Sequence, residues 1–346
     1  MEHRYCRRTA PAFLTAVLLL LACAGCGQES PRTIRVGVAL YQQDDTFLST
    51  MMQEMEQLAR EEEQARDVKI NLNQADARGS QAAQNEQVDR FLDQGCDVIC
   101  VNIVDRTAAA VIVDKAQAAG VPVIFFNREP VREDLDRWEQ AYYVGTKAAR
   151  AGELQGGIVL DAWRTETAAL DRSGDGVVQY VMLEGEPGHQ DALLRTEYSV
   201  KTLTEAGVMV EKLDNYNADW QRGLASVRMR QWLEQYGGAI EVVFANNDDM
   251  ALGAIDACRE AGLTEAEMPF IVGVDATPPA LEALAAGTLK GTVQNDAEGQ
   301  ARSMLALSCA LAFQEPAAQA VELEDGSYVW MAYTPVTKEN LADFTA

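Results

Sequence analysis

Histidine is nearly absent from this chain of 346 residues, which contains only His3 and His189. A zinc site built from several histidines is therefore excluded. Basic residues are also few: 29 lysines and arginines stand against 53 aspartates and glutamates, and the formal net charge is −24 at pH 7. Binding to nucleic acid needs clustered positive charge, and so does docking on anionic lipid without an anchor. The composition argues against both.

Cysteine is scarce beyond the N-terminal region, where Cys96, Cys100, Cys258 and Cys309 remain. Cys96 and Cys100 bracket the strand-like run CDVIC. Because a strand rises about 3.3 Å per residue, these two are too far apart for a disulfide. We expect all four to be small buried hydrophobic residues. The chain is 48% hydrophobic, which is ample for a large core and suggests two lobes.

The N-terminal region has the order of an export signal. Three arginines precede the apolar run AVLLLLAC, which is shorter than the roughly 20 residues that a membrane span needs. The small residues and cysteines that follow resemble a bacterial lipoprotein box, in which the lipidated residue would be Cys23 or Cys26. We predict a signal peptide with a lipoprotein cleavage site over residues 1–26 and a polar tether over 27–33. An ordinary signal peptide with incidental cysteines is the alternative.

From Ile34 onward, strand-like apolar runs alternate with helical stretches, and the pattern restarts near the segment YYVGT. Apolar residues spaced by three and four, as in Val88, Phe91 and Leu92, indicate helices between the strands. Two consecutive series of this kind predict an α/β fold with two similar lobes, each a parallel sheet with helices on both faces.

Five strand-like runs lead to an acid or an amide: Asp45, Asn127, Asn247, Asp275 and Asn295. Ligands of parallel α/β sheets bind outside the carboxyl ends of the strands, so these side chains should gather at one edge. Carboxylates and amides can pair with hydroxyl groups, and the set therefore predicts a sugar site. Taken singly, Asp45, Asn247 and Asp275 could instead cap the helices that follow them.

Seven segments stand in a fixed order: YQQDDTF, FFNREP, YYVGT, GEPGHQDALLRTEY, ANNDDMALGA, GVDATP and GTVQNDA. Together they closely resemble the bacterial periplasmic glucose/galactose-binding proteins, and the similarity extends from about Ile34 to the C-terminal KENLADFT. The resemblance implies a periplasmic binding protein type 1 fold whose lobes are joined by a hinge and close on one hexose. The lobes would comprise residues 34–145 plus 295–330 and residues 146–294 plus 331–346, with crossings near 145, 294 and 331.

The resemblance also implies a sugar-binding shell. Phe47 and Trp220 would stack on the two faces of the pyranose ring. The polar groups around its edge would be Asp45, Asn127, His189, Asp191, Arg195, Asn247, Asp275 and Asn295. Arg195 can pair with two adjacent oxygens, and a sugar that lacks a hydroxyl would leave buried polar groups unpaired. Outside this frame, His189 would be an ordinary turn histidine and Trp220 a packing residue.

A second site is predicted in the segment DRSGDGVVQ. Its ligands Asp171, Ser173, Asp175, Val177 and Gln179 follow the spacing of an EF-hand calcium loop, in which Val177 would contribute its backbone carbonyl. The loop has Met182 where the closing glutamate belongs, and the family resemblance implies that Glu241 replaces it. A serine at position 173 is a poorer ligand than the usual amide. The alternative is a plain Asp/Gly turn.

The resemblance implies an extracytoplasmic protein, lipid-anchored or periplasmic, that is a monomer and not an enzyme. It would capture D-glucose or D-galactose and deliver it to an ABC permease, or, as a sensor, present it to a chemoreceptor or kinase. A sugar-processing enzyme is a weaker alternative, because no nucleophile–base pair, catalytic metal or phosphate loop is evident. A transcription regulator would carry a helix-turn-helix where the export signal lies.

Overall fold

The computed structural model describes residues 1–2 and 31–345. Cys23, Cys26 and nearly all of the predicted signal peptide and tether lie outside the described residues. Among the helices that the structure describes, none combines the length and the apolar character needed to cross a membrane.

The first lobe is built on a six-stranded sheet in which every pair of neighbouring strands is parallel. Its strands are β1 (Arg32–Leu40), β2 (Val68–Asp76), β3 (Val98–Val101), β4 (Val123–Phe126), β5 (Ala141–Thr146) and β11 (Tyr328–Met331), in the spatial order β11-β5-β4-β3-β1-β2. Its helices are α1 (Thr46–Arg66), α2 (Gln81–Asp93), α3 (Ala109–Ala119), α4 (Arg132–Leu135), α11 (Ala297–Ala312) and α12 (Ala317–Ala320).

Helices cover both faces of this sheet. Strands β3 and β4 are short apolar runs in which every residue is buried, as expected of a parallel sheet packed on both sides. Side chains of α1 and α11, such as Met51 and Met304, form the core on one face. Side chains of α2 and α3, such as Phe91 and Ile112, form the core on the other.

The second lobe repeats the plan around a four-stranded parallel sheet. Its strands are β6 (Val177–Glu184), β7 (Met209–Asn217), β8 (Val242–Ala245) and β9 (Phe270–Val272), in the spatial order β7-β6-β8-β9. Its helices are α5 (Ala148–Thr165), α6 (Thr167–Leu170), α7 (Gln190–Glu205), α8 (Arg222–Tyr236), α9 (Asp248–Glu260) and α10 (Pro278–Ala285). Single 3-10 turns occur at 106–108, 237–239 and 341–344. The predicted two-lobed α/β fold is confirmed.

Two glycines of α5 decide how closely α7 approaches it. A Cβ at Gly156 would lie 2.3 Å from the Ser199 carbonyl oxygen, and one at Gly152 would lie 2.9 Å from the Arg195 carbonyl oxygen. Side chains larger than hydrogen would push the two helices apart, because packed interiors have little free space. The glycines therefore set the position of the backbone that carries Arg195.

The chain passes between the two sheets after β5, after β10 (Thr292–Asn295) and after β11. Strand β10 pairs with β12 (Tyr333–Val336) in the one antiparallel ladder among the named strands of the described residues. The Tyr333 hydroxyl lies 2.7 Å from Thr146 Oγ1, at the end of β5, and 3.1 Å from Arg195 on α7. The connecting strands are thus bonded directly to a helix of the second lobe.

Candidate functional site

A narrow cleft lies between the two lobes, and the space around it that no atom occupies, part of it open to solvent, is about 360 Å³. Five of the residues that line it come from the first lobe and six from the second. They are Tyr41, Asp45, Phe47, Asn127, Arg128, His189, Asp191, Arg195, Trp220, Asn247 and Asp275. Nine of the ten residues predicted for the sugar shell are in this set.

The carboxyl ends of the strands bring most of these residues together. Asp45 and Asn247 each cap the helix that follows: Asp45 Oδ1 accepts the Leu48 N–H at 2.9 Å, and Asn247 Oδ1 accepts the Met250 N–H at 3.0 Å. Both also line the cleft, so the capping role and the site role coexist. Asp275 does not cap α10, whose N-cap residue is Thr277.

Asn295, the tenth predicted residue, is buried beside the cleft and does not line it. Its Nδ2 donates to Asp275 Oδ1 at 3.3 Å, and its Oδ1 accepts from Gln300 Nε2 at 2.8 Å. With both ends of the amide bonded to protein, Asn295 here supports Asp275 from behind.

Three residues of the cleft have unusual backbone conformations. Asn127, Trp220 and Asp275 have φ angles of 58°, 66° and 120°, in a region that residues with a side chain seldom adopt. Such conformations persist only where the surrounding structure enforces them, and they concentrate at ligand sites. The strained residues therefore lie in the same region that the acids and amides after the strands indicate in the sequence.

Arg195 is the centre of a buried polar network. Its guanidinium donates to the Asn246 carbonyl at 2.8 Å, to Asp191 Oδ2 at 3.1 Å and to the Tyr333 hydroxyl at 3.1 Å, and it lies 3.9 Å from Asp275 Oδ1. Burial raises the pKa of both Asp191 and Asp275, and the positive charge of Arg195 opposes that rise. Two carboxyl groups and one guanidinium thus share a buried site.

His189 is neutral in this environment. Burial, followed by the positive charges of Arg128 and Arg195, holds its pKa well below the ordinary value. Its Nδ1 accepts the Asp191 backbone N–H at 3.1 Å, so the single proton of the neutral ring is on Nε2. His189 therefore offers the cleft one N–H donor.

Two aromatic rings line the cleft from opposite lobes. Phe47 is buried at the start of α1 in the first lobe. Trp220, in the second lobe, meets the His189 ring edge-on, with centroids 5.0 Å apart and planes at 77°. Trp220 Nε1 is buried and so is Arg195 Nε, and neither atom has a hydrogen-bond partner among the described residues. The cleft therefore combines apolar faces with donors that a polar ligand can satisfy.

Tyr41 and Arg128 line the cleft but were missed in the sequence. The Tyr41 hydroxyl donates to Asp45 Oδ2 at 2.9 Å, and the Arg128 guanidinium lies 3.4 Å from the centroid of the Tyr41 ring. Each directly follows a strand end or a predicted site residue, which was the available signal: Tyr41 comes after β1, and Arg128 comes after Asn127.

The predicted calcium loop lies at the entrance to β6. Asp171 and Asp175 accept backbone N–H groups of their own loop, and the Val177 N–H in particular lowers the pKa of Asp175. The Glu241 carboxylate does reach the loop, where it accepts the N–H groups of Arg172, Ser173 and Gln179 at 2.7–3.1 Å.

The donor set suits calcium in part. Gln179 Nε2 donates to Asp175 Oδ2 at 3.0 Å, whereas its Oε1 is buried with no hydrogen-bond partner in the part of the chain that the structure describes. Against this, residues 1–2 and 31–345 contain no group of three or more His, Cys, Asp or Glu side chains placed to hold a metal ion. The calcium site stays a prediction.

The comparisons with known proteins agree on one family. Residues 36–316 match the family described as periplasmic binding protein domain. The chain is 37% identical to the D-galactose/methyl-galactoside binding periplasmic protein MglB of Haemophilus influenzae, over 96% of this chain and 98% of that protein. It is 28% identical to the xylitol-binding protein of Mycolicibacterium smegmatis, over 86% of this chain and 78% of that protein.

A solved structure is similar over the same extent. It is an ABC transporter solute binding protein from Bacillus halodurans with bound myo-inositol. The two chains are 31% identical with a TM-score of 0.72, and the match covers 92% of this chain and 98% of that one.

Proposed function

This chain belongs to the periplasmic binding protein family, as a sugar-binding protein of ABC transport and not an enzyme, and we propose that it captures D-glucose or D-galactose. The observation that carries the proposal is the cleft between the lobes. There, two aromatic rings and a set of carboxylate, amide, imidazole and guanidinium groups line the same narrow space.

The chemistry of the cleft matches that of a pyranose. The two faces of a sugar ring carry C–H groups that pack on aromatic rings, and its edge carries hydroxyls that both donate and accept. Phe47 and Trp220 supply the apolar faces, and the buried unpaired N–H groups of Trp220 and Arg195 require acceptors. The identity to the galactose-binding relative exceeds that to the xylitol-binding one, which favours a hexose.

Asp45 is the proposed partner of the hydroxyl by which glucose and galactose differ. Its carboxylate accepts hydrogen bonds only, and it can therefore meet the hydroxyl in either configuration. Burial raises the pKa of Asp45, while the hydrogen bonds from Leu48 and Tyr41 favour the charged form. Both sugars should therefore bind.

Calorimetry tests the proposal. Purified protein is titrated with D-glucose, D-galactose, D-ribose, L-arabinose, xylitol and myo-inositol, and the two hexoses should bind most tightly. Asp45→Asn should weaken hexose binding, whereas Asp44→Asn, a change at the exposed neighbouring acid, should leave it unchanged. Tighter binding of a pentose, xylitol or inositol than of both hexoses would overturn the assignment.

We further propose how the protein is attached and where the sugar goes. Cys23 or Cys26 would carry a lipid, so that the mature chain lies outside the cytoplasm and is held at the membrane. The lobes of residues 34–145 plus 295–330 and of 146–294 plus 331–346 would close on the sugar and hand it to an ABC permease. Presentation to a chemoreceptor is the alternative, and co-purification with a permease would favour transport. Mass spectrometry that finds an unmodified N-terminus beyond Cys26 would contradict the lipid anchor.

The segment DRSGDGVVQ is proposed to hold a structural Ca²⁺. The ligands would be Asp171, Ser173, Asp175, the Val177 carbonyl, Gln179 and Glu241. Calcium accepts six to eight oxygens in flexible geometry, so the loop acids and Glu241 can share one ion. Because this loop opens β6 whereas the cleft lies past the strand ends, the ion would stabilise the second lobe without contacting sugar.

A further inference from the structure

Three polar contacts join the lobes beside the cleft. Thr46 Oγ1 donates to Asp249 Oδ2 at 2.6 Å, and Gln190 Nε2 donates to Glu129 Oε2 at 3.1 Å. The third is an ion pair, between the guanidinium of Arg128 in the first lobe and Glu186 Oε2 in the second, at 3.1 Å. By the lobe bounds given above, one other ion pair among the described residues joins the lobes: Lys147 Nζ lies 3.1 Å from Glu324 Oε1, directly after the crossing near residue 145, and both of these side chains are exposed.

Arg128 is unusually constrained for a cation. It is 5% exposed, its guanidinium lies 3.4 Å from the centroid of the Tyr41 ring, and it also donates to the Val104 carbonyl. A cation over an aromatic face is attracted by the ring electrons, more strongly where water is excluded. The Arg128 guanidinium therefore holds the Tyr41 ring in place. The remaining partner of Arg128 is Glu186, which belongs to the second lobe.

The Tyr41 hydroxyl connects Arg128 to Asp45. Burial, followed by the nearby charge of Asp45, raises the pKa of Tyr41, so the hydroxyl keeps its proton and donates to Asp45 Oδ2 at 2.9 Å. The other carboxylate oxygen of Asp45 accepts the Leu48 N–H at 2.9 Å. Both oxygens of Asp45 are thus oriented by protein donors, and one of these donors sits under Arg128.

From these contacts we propose that Arg128 is a positioning residue that couples closure of the lobes to the orientation of Asp45. When the lobes are closed, Glu186 fixes the guanidinium over Tyr41, and Tyr41 fixes Asp45. When they separate, Glu186 leaves with the second lobe and the guanidinium is held less firmly over Tyr41. The proposal rests on the proposed sugar-binding function, and it makes affinity depend on Glu186, which does not line the cleft.

Two single substitutions test the two parts of the proposal: Glu186→Gln acts on the contact between the lobes, and Tyr41→Phe acts on the orientation of Asp45. In Glu186→Gln, which removes a charge at nearly constant size, affinity for both glucose and galactose should fall, by about threefold to tenfold. This loss of affinity lies between the losses expected for a fully exposed charge pair and for a fully buried one. The decrease of affinity with added NaCl should be smaller than in the wild type, since screening weakens this pair. In Tyr41→Phe, the ratio of the two affinities should change, because Asp45 Oδ2 loses its donor.

A double-mutant cycle and a matched control complete the design. Arg128→Met combined with Glu186→Gln should bind no more weakly than Arg128→Met alone, because the pair is already broken. Asp256→Asn, which breaks the Arg222–Asp256 pair at 2.6 Å within the second lobe, should bind sugar as the wild type does. If Arg128→Met does not fold, Glu186→Gln still decides the matter.

Small-angle X-ray scattering without sugar reads closure directly. The radius of gyration of Glu186→Gln should exceed that of the wild type, and that of Asp256→Asn should equal it. Additive losses in the cycle, or a Glu186→Gln variant with wild-type affinity, salt dependence and radius of gyration, would overturn the proposal. A wild-type protein that binds neither hexose would instead overturn the proposed function, and the scattering comparison would still report on the ion pair.

Discussion

Replacing Gly185 with alanine should displace the Trp220 ring and weaken sugar binding while leaving the second lobe folded. A Cβ at position 185 would lie 2.1 Å from Cζ2, 2.3 Å from Cη2 and 2.4 Å from Cε2 of Trp220. Carbon atoms in contact are about 3.5–4.0 Å apart, so one of the two residues must move by more than about 1 Å.

The Trp220 ring is the partner that should move. The backbone of Gly185 is held from both sides, because its N–H donates to Asn246 Oδ1 at 3.0 Å and its carbonyl accepts from Asn217 Nδ2 at 3.0 Å. Burying a large aromatic side chain against a ligand contributes about 1–3 kcal/mol, and a gap of about 1 Å forfeits up to half of the dispersion energy. We expect a loss of about 1–1.5 kcal/mol, or roughly fivefold to tenfold in affinity.

Calorimetry with galactose and glucose measures the loss, and the change in tryptophan emission on adding sugar reports on the ring. Gly223→Ala is the matched control, because Gly223 lies in α8 and, apart from its chain neighbours and the helix's own backbone, no described atom lies within 4 Å of an added Cβ. That change should leave affinity unchanged and stabilise the helix by up to about 1 kcal/mol. If Gly185→Ala binds both hexoses as tightly as the wild type, with the same emission change, Trp220 does not form a face of the sugar site.

Three further outcomes are expected. Trp220→Ala should weaken hexose binding by about 1–3 kcal/mol, and wild-type affinity in calorimetry would make Trp220 a packing residue. Burial raises the pKa of Asp248 from 3.8 to about 7, so the free energy of unfolding in urea should fall as the pH rises from about 4 to about 7. In Asp248→Asn that fall should be smaller; an identical slope would contradict the assignment. Chelating Ca²⁺ should lower the melting temperature, and excess Ca²⁺ should restore it. Glu241→Gln should reduce the difference between these two melting temperatures. Equal melting temperatures with chelator and with Ca²⁺ would mean that DRSGDGVVQ is only a turn.

The fold could be predicted because parallel strands buried on both faces are continuous apolar runs with turn residues between them. The strand VIFF, for example, is fully buried and is followed directly by Asn127. Strands β11 and β12 were not predicted, since YVWM and YTPV are short and their partners are distant. Val329 of β11 pairs with Val144 of β5, and no local pattern specifies such a pairing.

The site could be predicted to the extent that its residues follow strand ends or match a family motif. The roles of Tyr41 and Arg128 could not be predicted although both follow strand ends, because these roles arise from partners elsewhere in the chain. Arg128 acquires its role from Glu186 on the opposite lobe, and Tyr41 acquires its role from lying beneath Arg128. Backbone strain at Trp220 and Asp275 is equally invisible in sequence, because it results from the packing around them.

The carboxylates of the cleft explain how such a site would reject a close analogue. Burial raises the pKa of Asp45, Asp191 and Asp275 alike, so each is less stable as an anion in the closed cleft than in water. Hydrogen bonds from Tyr41, Leu48 and Arg195 offset only part of that penalty. Ligand hydroxyls would supply the rest, and a ligand lacking one would leave a buried acceptor unpaired, at about 1–3 kcal/mol. On the proposed function, the interlobe contacts would favour closure and the buried acids would oppose it, and a fully hydroxylated sugar would shift that balance toward the closed form.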